Sequence, residues 1–159
     1  MHEDHIRPPH EPEIAACGFF LVPRPDGFVL HMSASAEHVR AMRSHVFVAL
    51  ASAGAAEELA EAARLVASEL VGNVVRLCGP WAPVIVQVAC SDDRILVQVH
   101  DPEPSAQPRR HPEPPDNAHA KKGRGLWILD VLAPGWTVDP TPVGKQITCV
   151  LPREQRAAT

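Results

Sequence analysis

The sequence predicts an α+β domain. It is a two-layer α/β sandwich, with a mixed, mostly antiparallel sheet covered on one face by helices. Three observations predict it. Residues 36–54 and 56–77 repeat apolar side chains every three to four positions, the period of an amphipathic helix. Val84-Ile85-Val86-Gln87-Val88-Ala89 and Ile95-Leu96-Val97-Gln98-Val99 are β-rich runs joined by a linker short enough for an antiparallel hairpin. The 21 residues from Pro102 to Lys122 hold six prolines and almost no apolar residues, so they can be neither helix nor central strand.

In chain order, residues 1–16 read as a flexible leader, rich in proline and charge. A single domain follows over 17–152 and a flexible tail over 153–159. Gly18-Phe19-Phe20-Leu21-Val22 is a short strand. Gly27-Phe28-Val29-Leu30-His31-Met32 is a second, entered through the turn Pro25-Asp26-Gly27. Ser33 or Ser35 caps the first helix, whose apolar stripe is Val39, Met42, Val46 and Leu50 and which fades near Gly54. The second helix runs from about Ala56 to Leu77 with the stripe Leu59, Ala63, Val66, Leu70, Val74 and Leu77. Gly79-Pro80-Trp81-Ala82-Pro83 ends it. After the hairpin comes the loop 102–122, whose length marks it as a lid, a binding loop or disorder. A third helix runs from Gly125 to about Ala133. Trp136-Thr137-Val138 and Gln146-Ile147-Thr148-Cys149-Val150-Leu151 are the last strands.

Composition narrows the function. A chain of 159 residues, 45% hydrophobic and 21% charged, is long enough for one core. A net charge of −4 gives no basic field for nucleic acid. No apolar run reaches the roughly 20 residues that span a bilayer, and Met1 to Pro12 has no apolar signal core, so a cytoplasmic location is the default expectation. Cys17, Cys78, Cys90 and Cys149 form no Cys-x-x-Cys pair and read as small buried hydrophobes.

The residues that carry chemistry are few. Glu69 and Asn73 are four apart on the second helix, so they share one face beside its apolar stripe. By itself an acid and an amide at that spacing is an ordinary solvated surface. Asn73 is nevertheless a poor mid-helix residue. An amide oxygen suits Mg²⁺, and a neighbouring carboxylate suits a general base. Asp101 ends an apolar strand, where acids commonly form turns; if buried there, it would accept a hydrogen bond from an exocyclic amine such as that of adenine. Gly123-Arg124-Gly125 reads as a glycine-flanked turn opening a helix, with Lys121 and Lys122 beside it. Such turns commonly serve only to start a helix and such lysines are as often solvated surface charge; in the other reading, backbone N–H groups and cations converge there on a phosphate.

In that order, these elements resemble the nucleotide-binding (Bergerat) fold of gyrase and the histidine kinases. More narrowly, Ala63-Arg64-Leu65-Val66-Ala67-Ser68-Glu69-Leu70-Val71-Gly72-Asn73 resembles the N-box of the anti-sigma-factor serine/threonine kinases, notably the small actinobacterial ATP-binding regulators. Gly123-Arg124-Gly125-Leu126-Trp127-Ile128-Leu129-Asp130 is similar to their second glycine box. Gly144-Lys145-Gln146-Ile147-Thr148-Cys149-Val150-Leu151-Pro152 is similar to their closing strand. The resemblance covers about residues 27–152. It implies a histidine-kinase-like ATPase fold with ATP and Mg²⁺ as cofactors. Glu69 would be the catalytic base and Asn73 the metal ligand. Arg76 would reach phosphate and Asp101 would read adenine. Gly123, Arg124, Gly125 and Leu126 would shape the lid end, with Thr148 of the closing strand also at the cofactor. The implied partners are a sigma factor and an anti-anti-sigma protein of the STAS type. A homodimer is a further expectation, with the Phe28/Leu30 strand and the first helix as its interface unless those residues are core.

The chain departs from the family pattern at three places. Asp101-Pro102-Glu103 stands for Asp-x-Gly. Val74 and Leu77 replace an Ala and a His or Tyr. Lys145 stands where Thr is usual. These changes predict weakened ATP binding and leave two readings open: an ATP-dependent protein kinase, or a catalytically inactive module of the same fold that regulates by protein binding alone. A metabolic hydrolase finds no motif.

Overall fold

The computed structural model describes residues 14–104 and 121–153. Its elements, in chain order, are β1 (Ile14–Ala16), β2 (Phe19–Arg24), β3 (Gly27–Ser33), α1 (Ala36–Ser52), α2 (Glu57–Cys78), β4 (Pro83–Cys90), β5 (Arg94–Asp101), α3 (Lys121–Leu132), β6 (Thr137–Thr141) and β7 (Gly144–Pro152). The strands form one seven-stranded sheet in the order β1-β2-β3-β4-β5-β7-β6. Every pairing is antiparallel, so the sheet expected to be mixed is not.

Alternation along each strand sets the layers. Phe28, Leu30 and Met32 of β3, Val84, Val86 and Val88 of β4, Ile95, Val97 and Val99 of β5, and Ile147, Cys149 and Leu151 of β7 are buried on one face. The helices pack on that face, α1 against β3 and α2 against β4, β5 and β7. Phe28 and Leu30, candidates for a dimer interface, are 3% and 0% exposed within a single chain and so belong to the core. The residues between them, such as Val29, Ile85, Gln98 and Thr148, face away from the helices and are half-buried.

Local chemistry explains the helix ends. Ser35 caps α1 by accepting from the His38 amide at 3.4 Å. Met42, Val46 and Leu50 bury the expected stripe. In α2 the buried set is Ala60, Ala63, Val66, Ala67, Leu70, Val71 and Val74. Leu77, expected in that stripe, is 56% exposed, because the last turn runs past the packed sheet. Gly79, at φ 86, closes the helix by donating its N–H to the Val75 carbonyl.

Three expectations are corrected. Ile14–Ala16, assigned to the leader, forms β1 and pairs with Phe19–Leu21. The third helix begins at Lys121 rather than Gly125, so Gly123-Arg124-Gly125 lies within helix rather than in a turn before it. Burial of Leu129 and Ala133 against the core outweighs the glycine penalty of roughly 1 kcal/mol per residue. Of the cysteines, only Cys149 is buried; Cys78 and Cys90 are half-buried and Cys17 is exposed.

One glycine fixes how closely two strands meet. Gly144 opens β7 at φ 148, and a Cβ on it would lie 1.8 Å from the Asp101 carbonyl oxygen. No side chain fits between those backbones. Gly144→Ala is therefore expected to destabilise the fold at least as much as the core truncation Leu70→Ala, which should cost about 2–5 kcal/mol. Urea unfolding of both variants measures this, and a near-neutral Gly144→Ala would show that the strands can part there.

Candidate functional site

The site lies between the helical layer and one end of the sheet. Register places Asp101, the last residue of β5, directly opposite Lys145 of β7. Both belong to the strand positions that face the helices, continuing the series Ile95, Val97, Val99 and Leu151, Cys149, Ile147. At this end the apolar series gives way to a carboxylate facing an ammonium. Lys145 Nζ donates to Asp101 Oδ1 at 3.0 Å, and each side chain is 3% exposed.

The pair is built into a turn. The Glu103 amide donates to Asp101 Oδ1 at 2.9 Å, and Lys145 Nζ donates to the Glu103 carbonyl at 2.8 Å. The first bond has the pattern by which aspartate folds its own backbone two residues on. Two departures from the family pattern, Glu103 for glycine and Lys145 for threonine, are thus one structural unit. A left-handed glycine is not needed, because no non-glycine residue among the described residues has positive φ and the turn closes on the aspartate instead.

Helix α2 brings the acid and the amide toward this corner. Its last residue, Cys78, has a thiol raised above its ordinary value of 9.0 by burial, then by the Asp101 and Glu103 carboxylates, with Lys145 opposing. The helix end is therefore within electrostatic reach of the pair. Asn73 lies one and a half turns earlier, roughly 7.5 Å along the axis, and Glu69 one turn earlier again. Asn73 and Glu69 are both half-buried. Arg76 folds back along the helix and its Nη2 donates to Asn73 Oδ1. Its path crosses Gly72, where a Cβ would lie 3.6 Å from Nη1. The Asn73 oxygen is thus oriented outward onto a cation. Glu69 has no hydrogen bond or ion pair among the described residues, which leaves its carboxylate available. No cluster of three His, Cys, Asp or Glu residues suited to a metal occurs among the described residues. Any metal here would rest on the Asn73 amide oxygen and on the ligand's own oxygens, a donor set suited to Mg²⁺.

Not all the expected residues converge. Thr148 is an odd number of residues from Lys145, so it faces the other side of the sheet, where its Oγ1 accepts from Gln98 Nε2 at 3.2 Å. It cannot share a ligand with Asp101. The side chains of Gly123, Arg124, Gly125 and Leu126, and the stretch 105–120, lie outside the described residues. Beyond them, α3 is anchored where Trp136 Nε1 donates to Asp130 Oδ1 at 2.7 Å. Sequence reasoning missed Lys145 as a functional residue, although the closing strand's alternation pointed its side chain inward. A second concavity of about 630 Å³, lined in part by Phe20, His31, Trp81 and Val143, reaches His100 and Pro102 on either side of Asp101.

Residues 32–151 match the model of the histidine kinase-like ATPase domain family. No curated protein matches the chain. Its fold is similar to the crystal structure of the RsbU and RsbW domains of Rv1364c from Mycobacterium tuberculosis, with a TM-score of 0.53 over 87% of this chain at 20% identity. This chain spans 36% of that one.

The ion pair makes a prediction of its own. Removing one partner of a buried pair strands the other charge. Lys145→Met is expected to lower unfolding stability by about 3–5 kcal/mol, while adding Asp101→Asn to it should recover most of that loss. A double-mutant cycle in urea checks this; simple additivity would show that the two residues do not depend on each other.

Proposed function

This chain belongs to the histidine kinase-like ATPase domain family, and from that premise we propose that it is an ATP- and Mg²⁺-binding regulator of the anti-sigma-factor serine/threonine kinase type. The observation that carries the reading is the line of Glu69, Asn73 and Arg76 on the open side of α2, running toward the buried Asp101. It gathers an available carboxylate, an outward amide oxygen and a guanidinium on one helix face. The fold shared with the RsbU and RsbW domains of Rv1364c supports the same reading.

Each side chain then has a task. Asn73 Oδ1, turned from Arg76 toward the ligand, would be the protein ligand for Mg²⁺, which would neutralise charge on the phosphates. Arg76, already on Asn73, turns its remaining N–H donors to phosphate oxygens. The Glu69 carboxylate accepts the proton of an incoming hydroxyl or aligns it. Positioning and charge supply most of the acceleration in phosphoryl transfer, so this sparse set is sufficient. The hydroxyl belongs to a serine or threonine of an anti-anti-sigma protein of the STAS type. A sigma factor is the competing partner, and the protein acts in the cytoplasm. No helix among the described residues is long and apolar enough to cross a membrane.

The second reading, an inactive module that regulates by protein contact alone, is favoured by the Asp101–Lys145 pair, which places a cation at the base end of the site. Calorimetry with a non-hydrolysable ATP analogue separates the two. The native chain is expected to bind in the presence of Mg²⁺, and Asn73→Ala should weaken binding by about tenfold or more. Glu69→Gln should leave that binding in place and abolish phosphate transfer to the partner. Absence of binding by the native chain at millimolar nucleotide would remove the kinase reading and leave the module.

A further inference from the structure

We infer that Lys145 is a specificity-determining residue: by engaging Asp101 it cancels the site's preference for an adenine ring, so that purine nucleotides are held through their phosphates and hardly discriminated at position 6. The inference rests on the nucleotide reading above and concerns the base end of the same site.

The argument is a count of donors and acceptors. Adenine presents an amine at position 6, a donor, whereas guanine presents a carbonyl oxygen, an acceptor. A lone buried carboxylate offers only acceptors and would select the amine. Asp101 is not alone. Its Oδ1 already accepts from Lys145 Nζ at 3.0 Å and from the Glu103 amide at 2.9 Å. Its charge is balanced by an ammonium with which it is buried, each side chain 3% exposed. Lys145 carries three donors and no acceptor. Two are used, on Asp101 Oδ1 and on the Glu103 carbonyl, and the third suits a carbonyl oxygen. Asp101 Oδ2 has no partner among the described residues and stays open to the amine, so the corner offers a donor as well as an acceptor. Strong discrimination arises when the wrong ligand leaves a buried polar group unpaired. Here the amine finds Asp101 Oδ2 and the carbonyl finds the third Lys145 N–H, and the carboxylate's charge is balanced within the protein whichever base is present. The phosphate end, at Asn73 and Arg76, is indifferent to the base.

Calorimetry on the full chain with non-hydrolysable ATP and GTP analogues, each with Mg²⁺, tests this. In the native chain the two affinities are expected to lie within about threefold of each other. Lys145→Thr removes the ammonium and keeps a hydroxyl beside Asp101. It should tighten ATP by about tenfold or more while leaving GTP unchanged or weaker. Should that variant unfold, Asp101→Asn with Lys145→Thr buries no charge, and its amide offers both an acceptor and a donor as the native corner does; the native ratio, within about threefold, is expected to persist, with folding checked by circular dichroism. A native chain that prefers ATP tenfold, a folded Lys145→Thr that binds with the native ratio, or a double variant that shifts the ratio tenfold would overturn the inference alone. If neither analogue binds the native chain or any folded variant, the nucleotide reading falls and this inference with it.

Discussion

The buried contact between Asp101 and Lys145 is the constraint on which the rest of the site depends. Two opposite charges taken out of water must hold each other, and the surrounding groups must complete their hydrogen bonds. Here the completion is local. Glu103 supplies an amide to the carboxylate and a carbonyl to the ammonium. Gly144, one residue before Lys145, lets the β7 backbone reach the Asp101 carbonyl with no Cβ between them. The strand register, the close approach at Gly144 and the Asp101-Pro102-Glu103 turn therefore act as one unit. Altering any one of them moves this corner of the sheet.

That unit divides the site in two. On the α2 side, Glu69, Asn73 and Arg76 keep the residue types and spacing suited to a metal-bound phosphate. On the β5–β7 side, the carboxylate suited to an amine carries an internal cation instead. The two ends rest on different elements. Changes at one need not disturb the other, so a chain can retain the first while the second drifts. The fold holds in this chain because the helix-facing positions of β5 and β7 are filled by Val, Ile, Leu and Cys up to the last pair. The polar pair sits beyond that apolar series, at the sheet's end.

Much of the fold was legible because its signals are local. The four-residue spacing of Met42, Val46 and Leu50 gave the buried face of α1, and Ser35 gave its start. The β4–β5 hairpin followed from two alternating runs and a short turn. What was not legible depended on distant partners. Lys145 pairs with a residue 44 positions earlier, across a proline-rich stretch that carries no periodicity. From sequence it was one unusual residue rather than half of an ion pair. Thr148 shows the opposite case. Its odd offset from Ile147 and Cys149 already put it on the far face, but the motif resemblance drew it into the site. At Gly123 and Gly125 propensity argued for a turn, and tertiary burial of Leu129 decided for helix. Ile14–Ala16 looked like leader because a three-residue edge strand has too few positions to show alternation.

The account stands most directly on whether Lys145 is bonded to Asp101 in solution. Nitrogen-edited proton NMR of the lysine side chains measures this. An ammonium held in a buried ion pair exchanges its protons with water slowly, whereas a solvated one exchanges too fast to be seen. The account predicts one protected lysine ammonium signal at neutral pH, assigned to Lys145 by its loss in Lys145→Met and released to fast exchange by Asp101→Asn. A folded native chain with no protected ammonium signal would contradict it.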